Sequence, residues 1–243
     1  MSRYVAVTIA TRAIAVSNAV ADDLRGRTRR RVTVVLNGVD TEFFTPDFVP
    51  DSGQLRPEHN SEYPLVIYFG RLDEMKQVDH AIRAVAKANS EGHMMQLAIV
   101  GSPSVQQGYA DFLRTLGNQL LGNLVHFVET VDDVRPLLRS ADVAVFPGRV
   151  EGLSLGLLEA MASGCPVVAY SAAGVSEVLD HSVTGLVVPM GDWQGLAMAL
   201  INIFRDPQLS TSLSQNGRIA AVKHFSLTNQ VAQNIKVLSE LIA

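Results

Sequence analysis

Two acids bracket a turn in the middle of this chain. Glu151 and Glu159 stand eight positions apart in Pro147-Gly148-Arg149-Val150-Glu151-Gly152-Leu153-Ser154-Leu155-Gly156-Leu157-Leu158-Glu159-Ala160-Met161-Ala162-Ser163-Gly164. From Leu155 to Ala162 the stretch reads as a helix that is apolar nearly all round, so it is expected to be buried, and Glu159 with it. A carboxylate taken out of water costs several kcal/mol, roughly, unless a partner satisfies it. Glu151 lies on the turn, and the backbone amides of Gly152, Leu153, Ser154 and Leu155 lie between the acids, so the stretch suits a guest rich in hydroxyls. A second set of residues is Gly70-Arg71-Leu72-Asp73-Glu74-Met75-Lys76. Glycine at a strand end lets a ligand approach the backbone. Arg71 offers a planar fork for phosphate oxygens, and Lys76 a compact charge. Two exposed cations are ordinarily surface charges, so their placement decides what they do.

The elements around them alternate. Apolar runs at Leu65-Phe69, Leu97-Val100, Leu124-Val128, Asp142-Phe146 and Pro166-Tyr170 read as buried strands. Helical stretches follow, one carrying Val78, Ala81, Ile82 and Val85 on one face and the next carrying Phe112, Leu113, Leu116 and Leu120. Helices at 192–205, 208–224 and 227–242 close the chain. Near the start, Ala13-Val16 and Val32-Leu36 read as strands around a helix capped by Ser17 or Asn18. Residues 45–64 are polar with four prolines and read as a surface loop. This order predicts an α/β fold with a doubly wound parallel sheet, Rossmann-like. Such sheets bind ligands beyond the carboxyl ends of their strands, where Gly70, Gly101, Glu129 and Gly148 all fall. Gly152 is expected to give the turn its freedom and Gly164 to end the helix.

Composition narrows the function classes. A net charge of −4 argues against nucleic acid as the main partner. The one cysteine, Cys165, cannot form an internal disulfide and reads as a small packing residue, which fits a cytoplasmic setting. No apolar run approaches the ~20 residues of a membrane span. No paired His or Cys stand at metal-ligand spacing, and there is no Asp-x-Asp. The marked charge cluster is Arg25-Gly26-Arg27-Thr28-Arg29-Arg30-Arg31, either a solvated loop or a patch drawn to an anionic membrane surface.

The phrase EGLSLGLLEAMASGCPVVA, with seven residues between Glu151 and Glu159, resembles the E-x7-E motif of retaining GT-B glycosyltransferases, above all the group 1 transferases of glycosyltransferase family 4. Asn37-Gly38-Val39-Asp40 with Phe43 or Phe44 and Pro46, the Gly70-Arg71-Leu72 and Lys76 pair, Ala172-Ala173-Gly174-Val175-Ser176-Glu177, and Thr184-Pro189 with Gly191-Asp192 resemble further segments of that family. Two positions depart from it: Gln77 and Glu129 stand where the family usually has glycine.

The resemblance implies the C-terminal half of a GT-B fold. Residues 1–30 would be the end of an N-terminal acceptor domain and the connection, 31–226 a Rossmann-like donor-binding domain, and 227–243 a C-terminal helix. It implies transfer of a hexose-type sugar from a nucleotide-sugar donor to a glycan or lipid-linked acceptor with retention, without metal or cofactor. Arg71 and Lys76 would neutralise the leaving diphosphate, and Glu151 would accept hydrogen bonds from the donor sugar. Gly70 and the amides from Gly152 through Leu153 and Ser154 to Leu155 would meet phosphate and sugar, Glu159 the ribose, and Glu129 would lie near the base. A structural pair with an arginine is the other reading of Glu159. Two alternatives stay open for the chain: a nucleotide-sugar-binding fragment or subunit of a split enzyme, which needs an acceptor-domain partner chain, and a GT-B-shaped sugar-nucleotide epimerase. The expected setting is cytoplasmic, with peripheral contact at the inner face of the membrane.

Overall fold

The structure, a computed structural model, describes residues 10–49, 62–103, 107–149 and 152–242. A first small unit contains strand β1 (Arg12–Ala15), helix α1 (Asn18–Arg25) and strand β2 (Arg31–Val34). The two strands pair in parallel, Arg12 opposite Arg31 through Ala15 opposite Val34. Ala13, Ala15, Ala21 and Val32 form a small core of their own. The expected boundary at residue 31 cuts through this unit, because β2 bonds to β1 and not to the larger sheet. Ser17 caps α1, its hydroxyl accepting from the Val20 amide at 3.1 Å.

The rest is built on six parallel strands: β3 (Leu65–Phe69), β4 (Gln96–Val100), β5 (Val125–Val128), β6 (Val143–Phe146), β7 (Val167–Tyr170) and β8 (Leu186–Val188). Their spatial order is β5-β4-β3-β6-β7-β8. The helices are α2 (Val78–Ser90), α3 (Gln107–Leu121), α4 (Arg135–Ser140), α5 (Leu155–Ala162), α6 (Trp193–Arg205), α7 (Pro207–His224) and α8 (Leu227–Ile242). The doubly wound expectation thus holds. Strand side chains alternate between two cores, as a period of two requires. Val66 and Tyr68 of β3 join α2, α3 and α6 on one face. Leu65, Ile67 and Phe69 join α4 and α5 on the other. Of the stripe expected on α3, Leu113 and Leu116 are buried while Phe112 and Leu120 are exposed, so that helix covers its face with fewer residues than the spacing suggests.

The strand ends are held in register past their last ladder bonds. The Gly70 amide donates to the Val100 carbonyl at 3.0 Å, and the Gly101 amide to Val128 at 2.9 Å. Gly70 and Gly101 have φ of 142° and 143°, a backbone that L side chains rarely adopt. A methyl group on Gly101 would collide with the Gly70 carbonyl oxygen. Replacing Gly101 with Ala is therefore expected to destabilise the fold by roughly 2–4 kcal/mol, since strain and backbone collision combine; urea unfolding measures it, and a midpoint like the parent's would contradict the close approach.

Candidate functional site

At the carboxyl ends of β3 and β6 the chain leaves in opposite directions, to α2 on one face and α5 on the other. That divergence opens a crevice between neighbouring strands. Two cavities lie there, of 530 Å³ and 480 Å³. Phe69, Gly70, Arg71 and Glu159 line both, so the cavities adjoin across these residues. The first extends past Ser102, Thr130 and Asp133 to Phe43 and Phe44. The second extends past Lys76 and Gly148 to Leu153, Ser154 and Leu155.

The structure therefore brings together Gly70, Arg71, Lys76, Leu153, Ser154, Leu155 and Glu159 from the residues picked out by sequence. Glu151 lies outside the described residues. Glu129 is exposed and lines neither cavity; its neighbour Thr130 takes the wall position and donates to the Ser102 hydroxyl at 2.8 Å. Gly152 also lines neither cavity. A Cβ added at Gly152 would lie in ordinary contact with Val20 and Val16, at 3.4 and 3.6 Å, so the space beside it does not itself demand glycine.

Each element places its side chain for a local reason. Arg71 follows the β3 glycine, is mostly exposed, and sits 3.4 Å from Asp73. Lys76 closes a single 3-10 turn, Glu74–Lys76, and is half-buried. After it, Gln77 holds φ 46° and ψ 44°, the left-handed region that explains glycine as the usual residue there. The Arg149 amide donates to the Met75 carbonyl at 2.8 Å, tying the loop after β6 to this turn. Ser154 caps α5, its hydroxyl accepting from the Leu157 amide, which leaves the amides of Leu155 and Gly156 at the helix start, where intrahelical partners are lacking. At Gly156 an added Cβ would come within 3.0 Å of Phe69, so the missing side chain lets α5 approach the Phe69–Phe146 pair that ends β3 and β6.

Glu159 lies on α5 between the two cavities. Burial pushes its carboxyl above the ordinary value. Among the described residues no hydrogen bond or ion pair to its side chain is found, so the arginine-pair reading gains no support there. Two wall elements escaped the sequence reading. Asn37, which sequence marked only as the start of a family-like segment, donates from Nδ2 to the Leu153 carbonyl at 3.0 Å and so holds Leu153 from the cavity wall. Arg135 stacks over Phe43 at 3.5 Å and Phe48 at 4.3 Å while bonding Asp133, whose carboxyl it holds below the ordinary value. Nothing in the residue spacing indicated that Phe43 would line a cavity or that Arg135 would cover it. Cys165 is buried and its thiol is pushed up to about 12, as a packing residue's would be.

A Rossmann-like sheet with Arg71, Lys76 and the half-buried Glu159 around its switch-point crevice defines an α/β protein with a cleft where such sheets bind ligands. Residues 54–220 match the model of the glycosyl transferases group 1, and the chain belongs to that family. It is 33% identical over 215 residues to an MMP alpha-(1->4)-mannosyltransferase of Mycolicibacterium hassiacum, covering 86% of this chain and 48% of that protein. It is 26% identical over 204 residues to the N-acetyl-alpha-D-glucosaminyl L-malate synthase of Bacillus anthracis, covering 83% of this chain and 52% of that protein. The chain thus spans about half the length of these relatives. Its fold is shared with the Anabaena protein HepE, solved in complex with UDP-glucose: TM-score 0.84 at 23% identity, over 97% of this chain and 65% of that one. The fold is the Rossmann-like half of a GT-B architecture.

Two outcomes follow. Gln77 carries both left-handed strain and a buried side-chain oxygen without a partner. Gln77→Gly removes both and is expected to stabilise the protein by about 1 kcal/mol, net of the added chain entropy; calorimetric unfolding would show a raised Tm. At Glu159 the folded-state value is raised, so its contribution to stability is fully present below the unfolded-state value and is lost as pH rises through the folded one. Glu159→Gln should therefore raise the Tm of the ligand-free protein at neutral pH, with the gap closing as the solution is acidified. A gap independent of pH would contradict a buried ionised carboxylate.

Proposed function

We propose that the adjoining cavities hold one nucleoside-diphosphate sugar, and that the chain supplies the donor side of a retaining glycosyltransferase moving a hexose-type unit to a glycan or lipid-linked acceptor. One observation carries this reading: Arg71 and Glu159 line the same two cavities, with Lys76 and the α5 start on one side and the Phe43 wall on the other. Arg71 and Lys76 meet the diphosphate and take up charge as the glycosidic bond breaks. The amides at the start of α5 add the positive end of a helix. Glu159 accepts from the ribose hydroxyls, the Phe43 and Thr130 wall takes the base, and Glu151 accepts from the donor sugar. The two cations supply the charge that a divalent metal supplies in other diphosphate sites, so the reading needs neither metal nor cofactor. That HepE was solved with UDP-glucose supports a nucleotide sugar as the ligand class.

The residue divisions expected from sequence belong to this proposal, adjusted so that β2 sits with β1 in the part before the donor sheet. The alternative reading is a donor-binding half that turns over only with an acceptor-side partner. Among the described residues no helix is long and apolar enough to cross a membrane. Peripheral membrane contact would fall to the arginine cluster, although Arg25 and Arg27 are already paired with Asp22 and Asp23.

Calorimetric titration with UDP-, GDP- and ADP-sugars, alongside an assay for released nucleotide, tests both readings. Binding with release supports the transferase; binding without release supports the half-enzyme. Arg71→Ala and Lys76→Ala should each weaken nucleotide-sugar binding roughly ten- to hundredfold, the range of a charge-assisted contact. If both variants bind like the parent, the phosphate assignment is wrong.

A further inference from the structure

Residues 40–48, after the small unit, supply the aromatic side of the larger cavity, and their backbone and their rings are held by different groups. Asp40 and Arg218 hold the backbone. Asp40 Oδ1 accepts from the Glu42 and Phe43 amides, both at 3.0 Å, and its carbonyl accepts from Phe44 at 2.9 Å. Arg218 on α7 donates to the Phe44 carbonyl and to the Ala162 carbonyl at the end of α5, both at 2.8 Å. The Phe43 ring is held by Arg135, the first residue of α4, whose guanidinium lies 3.5 Å from the ring centre and 4.3 Å from that of Phe48. That guanidinium is itself fixed. Its Nε donates to Asp133 Oδ1 at 2.9 Å and its Nη2 to Oδ2 at 2.7 Å, a planar fork on a carboxylate. The Arg135 backbone amide donates to the same Oδ1 at 2.9 Å, so the residue is tied down at both ends.

Phe43 nonetheless stays 44% exposed and lines the 530 Å³ cavity, with Phe44 set edge-on to it at 5.1 Å. A ring at the surface ordinarily moves among rotamers, whereas this one carries a fixed cation on one side. The outcome is a rigid aromatic surface already in place at a cavity wall, and such surfaces favour another flat ring. In a nucleoside-diphosphate sugar the base is the one aromatic ring. Asp133 lines the same cavity, and because Arg135 occupies both of its oxygens, an anionic ligand meets an ion pair there and not a bare acid.

We propose that Arg135 is a positioning residue for the nucleobase: stacked on Phe43, it holds that ring as a preformed surface against which the base packs. Arg135 touches no ligand in this scheme, and the base's place in this cavity rests on the function proposed above.

The test uses the full chain with Arg135→Lys, Phe43→Ala and the double variant, titrated calorimetrically with UDP, GDP, ADP and pyrophosphate, with circular dichroism to check the fold. Lysine keeps a cation beside Asp133 but lacks the planar fork that stacks. Each nucleoside diphosphate that the parent binds should bind Arg135→Lys about three- to tenfold more weakly, and Phe43→Ala about tenfold more weakly. Pyrophosphate, which has no base, should bind all four proteins alike. In the Phe43→Ala background the lysine should bring no further loss, because the two residues act as one. An unchanged affinity in Arg135→Lys overturns the proposal. So does a loss of the same size with and without Phe43, or one shared equally by pyrophosphate, since Arg135 would then act through its charge. A parent that binds pyrophosphate as tightly as the nucleoside diphosphates has a phosphate site without a base wall, which sinks this inference alone. A parent that binds none of the four sinks the nucleotide-sugar reading, and this inference with it.

Discussion

The crevice between β3 and β6 is the constraint on which the rest of this molecule depends. In a parallel sheet every connection must cross a face, and where two neighbouring strands send theirs to opposite faces nothing fills the gap at their ends. Here α2 goes to one face and α5 to the other. The gap is kept open and shallow by unlike means on its two sides. Gly70 and Gly101 carry a backbone that only glycine holds without strain, so the ends of β3 and β4 stay bare. Gly156 lets α5 settle onto the Phe69–Phe146 pair, so the helix start reaches the crevice without blocking it.

Within that opening, charge is arranged as opposing demands. Arg71 and Lys76 need little help from the fold, because one is mostly in water and the other half so. Glu159 is the reverse case: a carboxylate disfavoured by burial, left without a side-chain partner among the described residues. Local packing gives no reason to keep an acid there, since leucine or methionine would suit α5 better. A ligand that donates hydrogen bonds would reverse that balance. The same logic applies at Gln77, where the chain tolerates left-handed backbone beside the Lys76 turn.

How much of this could be read from residues alone depends on the range of the interaction. Strand identity was legible because each buried strand is a short apolar run between glycine or polar stops, as in Leu65-Phe69 before Gly70. The position of Arg71 just past a strand end followed from the same pattern, and that of Glu159 from the apolar helical run it interrupts. Contacts between segments far apart in the chain were not legible. The Asn37-Gly38 pair is a strong local turn signal, and it says nothing of the Asn37 bond to the Leu153 carbonyl, which spans 116 positions. Glu129 falls at a strand end as expected, but β5 is the sheet edge, one strand beyond β4, and its side chain is left in solvent.

The small unit before the main sheet depends on such distant contacts too. A two-stranded parallel pair is too little sheet to be stable alone, and β1 and β2 share a core of only four buried side chains. The unit is held by polar bonds to later parts of the chain: Arg12 donates to Glu240 at 2.9 Å on α8, and Glu177 takes the start of α1. Polar bonds of this kind are directional, unlike an apolar interface that can slide. A unit anchored by them near both of its ends, at Arg12 and at the start of α1, is held to the later chain by directional contacts rather than by a sliding apolar face.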